Sequence, residues 1–275
     1  MMKTTTWIVQ DSLHPTAGHN TLDVLEQACD EAGCALIRVH VTPYSTEMPA
    51  IPPISAPFVF YGYTTLITTA ARSPQWKSGV FFDADLFQPS MYAQQYGDLY
   101  LNPDTRTLTC EAFRAESHPS ETRFFVRPNN DLKTWTGQVM TFGEYLTRFE
   151  SFDVPTRNEL IAVSSPKEIH AEWRVILIDS QPIASSQYQP QALAWVPAEV
   201  EAFARAAAAK WLPFPVVVMD IASTDQGLKV IELNCFNGSN FYLMDIGRIV
   251  RNVSRYLEAV TPSSATEDSL LPDRK

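Results

Sequence analysis

Three residues near the C-terminal end of the chain carry oxygen donors at a spacing that suggests chemistry. Glu232 and Asn234 stand at i and i+2 in the apolar run Lys229–Asn234 (KVIELN), and Asp220 closes the apolar run VVVMD. Alternation along a strand puts Glu232 and Asn234 on one face. A tight turn between the two runs can bring Asp220 across from them. Two carboxylates and an amide would then converge on one sheet face. A lone buried carboxylate is costly, so such a group needs a hydrogen-bond network or a cation. Oxygen donors suit hard cations, and Mg²⁺ is commonly held by one or two carboxylates together with water and nucleotide phosphates. The competing account is structural: Asp220 caps a turn and Glu232 pairs with a surface lysine.

Cationic side chains upstream favour the first account. Arg127 ends the strand-like run RFFVRP, Lys133 follows in the polar loop NNDLKTWTGQ, and Arg174 sits inside the apolar run AEWRVILI. An arginine within an apolar strand needs a partner, and carboxylate or phosphate matches its planar fork. A salt bridge from Arg174 to Glu172 or Glu232, and a solvated Lys133, are the plainer alternatives. Together the three cations and three oxygen donors read as a polyphosphate–metal site. Arginine and lysine would neutralise phosphate oxygens directly, and the acids would do so through a metal.

The elements that must position these groups follow from periodicity and turn residues. TWIVQ, CALIRVHV, PFVFYG and SGVFFD read as strands, with a helix over 20–33 stopped by Gly33. Strand–helix–strand order of this kind predicts a parallel α/β sheet. The proline-rich stretch 43–57 reads as a loop. RFFVRP and NELIAVSSP read as further strands and TFGEYLTRFE as a short helix. AEWRVILIDSQPIASSQY reads as a hairpin turning near Asp179–Gln181. A helix from Pro197 to Trp211, with proline at N1, precedes a second hairpin that turns at Thr-Asp-Gln-Gly. A last helix covers 243–259, and the polar tail reads as disordered.

In this order, FVRP…K, EWRVILIDSQPIASSQY and VVVMDIASTDQGLKVIELNCFNGSNFYLMDIGRIV resemble the ATP-grasp superfamily, in the compact branch marked by two arginines and a lysine. The resemblance spans about 123–259. It implies an α/β (α+β) chain with an ATP-grasp fold and a smaller N-terminal α/β lobe. The expected parts are a pre-ATP-grasp lobe over 1–115, the ATP-grasp core over 116–260 and the tail over 261–275. It implies Mg²⁺ on Asp220, Glu232 and Asn234, and ATP phosphates on Arg127, Lys133 and Arg174. Glu172 belongs to the same nucleotide set through the Glu-x-Arg strand. The adenine falls in a hinge near Ser164–Ile169, with Lys167 and Glu168 as candidates and His170 near the ribose. The loop after Arg127 holds one glycine, Gly137, so Lys133 carries the loop's cationic work. The implied activity is an ATP-dependent carboxylate–amine ligase working through an acyl phosphate. The alternatives are a phosphotransferase on the same fold and a nucleotide-binding protein without turnover.

Other polar residues near these motifs have candidate roles. Asn237, Ser239, Asn240 and Tyr242 follow the metal strand and could line the acceptor pocket, with Tyr188 packed over it. Asp11, Ser12 and His14 follow the first strand, where a parallel sheet presents its ligand edge. Cys235 alternates to the opposite face from Asn234 and reads as a core thiol.

Composition narrows the classes. The 275 residues are 45% hydrophobic and 19% charged, as in a globular protein. A formal charge of −10 argues against a general nucleic-acid or anionic-membrane binder. No apolar run approaches membrane-spanning length, and the start MMKTTTWIVQD lacks the apolar stretch of a signal peptide. The four cysteines form no C-x-x-C pair and the five histidines share no zinc spacing. A cytoplasmic protein, monomer or homodimer, acting on small-molecule or peptide acids and amines is the expectation.

Overall fold

A computed structural model describes residues 4–13, 21–130 and 135–261. The chain falls into two compact units, Met1–Val80 with Asp245–Lys275, and Phe81–Met244. The boundary expected at 115/116 thus lies inside the second unit. The C-terminal helix, expected in the core, belongs with the first.

The first unit is built on a parallel sheet. Strands β1 (Thr6–Gln10), β2 (Ala35–Val39) and β3 (Phe58–Tyr61) pair in the order β2-β1-β3. Helix α1 (Thr21–Glu31) links the first two strands, and Gly33 just past it has φ +69°, the left-handed conformation that ends a helix. Helix α2 (Thr64–Arg72) follows β3. The C-terminal helix, numbered below in chain order, packs on α1 and is tied to β1, where Trp7 Nε1 donates to Ser254 Oγ at 3.0 Å. SGVFFD, expected as a fourth strand, is a 3-10 turn at Lys77–Gly79 followed by irregular chain. Val80 and Phe81 are buried by packing rather than by strand pairing. Phe81 meets Phe236 edge-on, and its N–H donates to Asn237 Oδ1 at 2.7 Å.

The second unit contains two four-stranded antiparallel sheets. Helix α3 (Pro89–Tyr96) leads to strand β4 (Arg106–Thr109) and helix α4 (Cys110–Arg114). Strands β5 (Arg123–Pro128), β6 (Gln138–Thr141) and β7 (Leu160–Ser164) complete the first sheet, ordered β4-β7-β5-β6. Helix α5 (Phe142–Phe149) opens with a capping box, in which Thr141 Oγ accepts from Glu144 N–H while the Glu144 carboxylate accepts from Thr141 N–H. Short helix α6 (Val154–Arg157) starts at Asp153. An aromatic core of Phe113, Phe142, Tyr145 and Phe149 packs with Val126 and Ile161. Neither β4 nor β6 is evident in the sequence: both are four residues long and half exposed.

The second sheet has strands β8 (Ala171–Ile178), β9 (Gln181–Gln189), β10 (Val216–Thr224) and β11 (Gly227–Cys235) in the order β11-β10-β8-β9. Its hairpins turn where expected. Asp179 and Ser180 both have positive φ, as a two-residue type I′ turn demands, and Gly227 has φ +88°. Helix α7 (Ala198–Ala208) lies on this sheet, and Pro197 is its N-cap residue, one position before the expected N1. Asp245 caps helix α8 (Ile246–Val260), which ends the described chain.

Candidate active site

The second sheet gathers the candidate residues in a single transverse row. Asp220 on β10 is in register with Arg174 on β8 and with Glu232 on β11, while Ser186 on β9 is in register with Arg174. The row therefore reads Ser186, Arg174, Asp220, Glu232 across all four strands. β10 is central, and Val216–Met219 before Asp220 are fully buried. A run buried on both faces is what a central strand requires, and it delivers Asp220 into the interior. The β10–β11 ladder shifts register directly after Asp220, a bulge that re-aims the strand beside the row.

Two ion pairs lie on this row. Arg174 Nε and Nη2 donate to Asp220 Oδ1 and Oδ2 at 2.8 and 2.7 Å, a bidentate fork whose side chains are 10% and 3% exposed. Arg174 Nη1 donates to the Asn240 carbonyl at 3.2 Å. From the end of β5 in the first sheet, Arg127 Nη1 donates to Glu232 Oε2 at 2.7 Å. Asn234 Nδ2 bridges the acids, donating to Asp220 Oδ2 at 3.0 Å and Glu232 Oε1 at 3.3 Å. Burial works against both guanidinium charges, but the facing carboxylates outweigh it, and the pKa of each arginine rises. Both stay cationic at any working pH.

Glu172 differs from the other acids. It stands two residues before Arg174 on the same face, half-buried, with the Tyr188 phenol beside its carboxylate. Among the described residues it has no ion-pair partner. Burial raises its pKa, with Asp220 and Glu232 adding to the effect and the Tyr188 phenol opposing it. Tyr188 stacks on Tyr242, with centroids 5.0 Å apart and planes at 8°. Arg174 Cζ lies 5.8 and 5.0 Å from the two ring centroids.

The segment expected to be the hinge is a connection between two strands. Ser165–His170 joins β7 to β8, the strands that link the two sheets. A cavity of about 200 Å³ opens there, lined by Tyr100, Leu101, Pro166, Lys167, Glu168 and Thr224. That volume falls below the ~300–1,000 Å³ of a pocket for a whole drug-sized ligand and suits a ring system. Tyr100 lies between the cavity, which it helps to line, and the ion pairs, where its phenol is in the field of Arg127 and Glu232. Burial pushes that phenol up to about 12, so it stays protonated. Asp104 anchors the hinge by accepting from Ser165 N–H at 2.8 Å and Lys167 Nζ at 2.9 Å.

The structure thus brings together Arg127, Glu172, Arg174, Asp220, Glu232 and Asn234, and places Lys167 and Glu168 at the hinge cavity. Lys133 and His14 lie outside the described residues. His170 pairs with Asp225 at 2.7 Å on the surface. Asn237 and Ser239, expected to line an acceptor pocket, are buried structural groups: Asn237 receives Phe81 N–H, and Ser239 Oγ donates to the Cys235 carbonyl at 2.7 Å. Asn240 and Tyr242 do reach Arg174. Cys235 is buried, as alternation predicts. Tyr100 and Asp104 were not evident in the sequence, because their segment carries no motif and meets the site only through the fold.

The donor set fits a hard divalent cation. Asp220, Glu232 and Asn234 all bear oxygen, and the Asn234 amide nitrogen lies within hydrogen-bond reach of both acids. Among the described residues no three His, Cys, Asp or Glu side chains gather as a metal site. An all-protein cage is therefore not formed, and further oxygen ligands would come from amide, water or phosphate, the habit of Mg²⁺.

No curated protein sequence matches the chain. Among solved structures, the D-cycloserine synthetase DcsG superposes with TM-score 0.62 at 14% identity, over 92% of this chain and 99% of that one. The ATP-grasp ligase PsnB, complexed with a phosphomimetic variant of its minimal precursor, Mg and ADP, gives TM-score 0.57 at 14% identity, over 94% and 98%. The macrocyclase MdnC from Microcystis aeruginosa MRC, bound with precursor peptide MdnA, gives 0.56 at 13%, over 92% and 99%. At these identities the likeness is one of fold. Residues 70–253, more than half of the chain, match the profile of the ATP-grasp domain, family 3 of the clade marked by two arginines and a lysine, and the chain belongs to that family.

Proposed function

We propose that the protein is an ATP- and Mg²⁺-dependent ligase that joins a carboxylate to an amine. The observation that carries this reading is the pairing of Arg127 and Arg174 with Glu232 and Asp220 on one buried sheet face. Buried pairs of this kind contribute little to stability against apolar replacements, so their presence here favours a binding role. Two cations and two anions leave the face balanced before ligand arrives. A nucleotide with its metal would bring phosphate oxygens to the arginines and Mg²⁺ to the acids, keeping the balance.

Arg174 retains donors beyond the three in use, and these can reach a phosphate oxygen. Asp220 fixes its plane and Asn240 its tip, so little orientation is lost on binding. Arg127 and Lys133 complete the phosphate set. Lys167, Glu168 and the backbone of the hinge would receive the adenine, with Tyr100 as the wall toward the phosphates. Asp220, Glu232 and Asn234 would hold Mg²⁺, which supplies charge neutralisation at the transferred phosphoryl group. Glu172 stands apart from the phosphate contacts, since a carboxylate has the wrong sign to meet them.

In the proposed reaction a substrate carboxylate oxygen attacks the γ-phosphorus and ADP leaves. The amine, having given up its ammonium proton, then attacks the acyl carbon, phosphate leaves with the former carboxylate oxygen, and the nitrogen loses a second proton. The protein's share is positioning and charge stabilisation, and no protein nucleophile takes part. The structural neighbours, a synthetase, a ligase with Mg and ADP, and a macrocyclase with its peptide, support this class.

The test has two stages. ATP with Mg²⁺ should stabilise the protein by about 2.7 kcal/mol at a hundredfold excess over its Kd, and ATP without metal should do markedly less. Acids should then be screened for ADP release in the presence of hydroxylamine. A hydroxamate product marks the acyl phosphate, whereas a stable phosphorylated acceptor would move the assignment to a phosphotransferase.

A further inference from the structure

Beside the balanced row on the second sheet stands one further carboxylate, Glu172, which has no ion-pair partner among the described residues. Arg174 is locked on Asp220 and Arg127 on Glu232, while Glu172 faces a phenol. A half-buried carboxylate without a cation is costly unless something positive is to come. What borders it restricts the kind of cation. Tyr188 and Tyr242 form a stacked aromatic pair beside it, and Tyr242 holds a left-handed φ of +47° to stay there. A residue other than glycine adopts that conformation only where its surroundings require it. Hydrated Mg²⁺ seeks oxygen ligands, whereas aromatic rings with a carboxylate suit an organic ammonium.

A second observation points the same way. Ser186 is fully buried, and its Oγ has no hydrogen-bond partner. It is in register with Arg174, on the face that carries Glu172, two residues before Tyr188. Buried hydroxyls are normally satisfied, so one left open marks a missing polar group. An ammonium has three donors, and Glu172 and Ser186 would supply two acceptors for them.

We propose that Glu172, Tyr188, Tyr242 and Ser186 form the subsite for the amine substrate, which docks as a primary ammonium of the amino-acid class. The proposal rests on the ligase reading and adds to it the charge state and class of the second substrate. In it Glu172 is a binding residue for the amine and no part of the nucleotide site.

The test uses the full chain loaded with Mg²⁺ and AMPPNP, titrated with the twenty amino acids by calorimetry, each binder matched by its 2-hydroxy acid. At least one amino acid should bind, and its hydroxy acid should bind at least tenfold more weakly. Glu172→Gln should raise the amino-acid Kd by tenfold or more and erase the preference over the hydroxy acid, while the thermal stabilisation by MgAMPPNP persists. That retained nucleotide response also shows that the variant is folded. Ser186→Ala should give a smaller rise, about threefold. The proposal is overturned if no amino acid binds the loaded protein, if Glu172→Gln binds it as tightly as wild type, or if that variant loses the nucleotide response instead. A wild type that never responds to MgAMPPNP would sink the ligase reading itself, and the amine subsite with it.

Discussion

Arg106 and Arg174 each grip a carboxylate with two nitrogens, yet they serve different ends. In the first sheet of the second unit, Arg106 Nη1 and Nη2 meet Glu116 Oε1 and Oε2 at 2.7 and 3.0 Å, with side chains 51% and 26% exposed. In the second sheet the Arg174–Asp220 fork has similar lengths but almost no exposure. The outer pair is screened by water and holds the β4 edge near α4. The inner pair costs desolvation that stability alone does not return. Its neighbours differ too. Arg106 meets Glu116, which also pairs with His118, while around Arg174 stand two tyrosines and the Asn240 carbonyl, with Asn234 bonded to its partner Asp220. The same chemical motif is a clasp in one sheet and, in the proposed ligase, a binding element in the other, and burial separates the two.

The sharpest way to break the comparison is to remove one partner from the buried pair. Asp220→Ala leaves Arg174 charged and unpaired in the interior, and should lower stability by about 3–5 kcal/mol. Urea unfolding of the variant measures this. A loss under about 1 kcal/mol would put the Arg174 pair in the same class as the Arg106 pair.

Glu232→Ala tests function more than stability, because Arg127 and Glu232 are 17% and 20% exposed and water can partly replace the acid. Stabilisation by MgATP should vanish, and acid-dependent ADP release should fall on the order of 10²–10³. Normal turnover in this variant would return Glu232 to a structural role.

The two sheets also differ in how much the sequence disclosed. Asp220, Glu232 and Asn234 were readable because a tight turn fixes register and alternation fixes faces, and the hairpin obeys both. Arg174 was readable because a charge inside an apolar run needs a reason. The transverse row was only half readable. Ser186 reaches it through pairing with β8, and the bulge after Asp220 leaves no local mark. In the first sheet β4 and β6 escaped notice because four half-exposed residues carry no clear period. SGVFFD misled for the opposite reason: its apolar residues pack on side chains and pair with no strand. Tyr100 and Asp104 were hidden because the segment that holds them looked like part of the preceding lobe, whereas it belongs to the second unit and reaches β11 by a bridge from Tyr100 to Val230.

Thr141→Ala removes the side-chain half of the α5 capping box. It should cost about 1 kcal/mol in urea unfolding. Because α5 packs on the first sheet and carries no site residue, the MgATP response should remain. A variant that loses nucleotide binding with so small a change in stability would show that the first sheet is more than support.

The smallest effect concerns the exposed pair itself. Arg106, through charge-assisted hydrogen bonds, and then His118 draw the Glu116 carboxyl down from 4.5 to about 2, against a modest opposing effect of burial. A carboxyl depressed in the folded state adds stability that is complete above its unfolded value and fades as pH falls toward its folded one. Wild type should therefore exceed Glu116→Gln in stability at neutral pH and lose that excess between about 4.5 and about 2. Solvent screening limits the plateau to ~0.2–1 kcal/mol for a pair this exposed. Urea midpoints taken from pH 7 to pH 2 on both proteins measure the difference, from which the other carboxylates cancel. A gap that persists unchanged at pH 2 would mean that Glu116 acts through packing. A plateau several times larger would mean that water screens this pair less than its exposure implies, and the contrast with Arg174 would narrow from the other side.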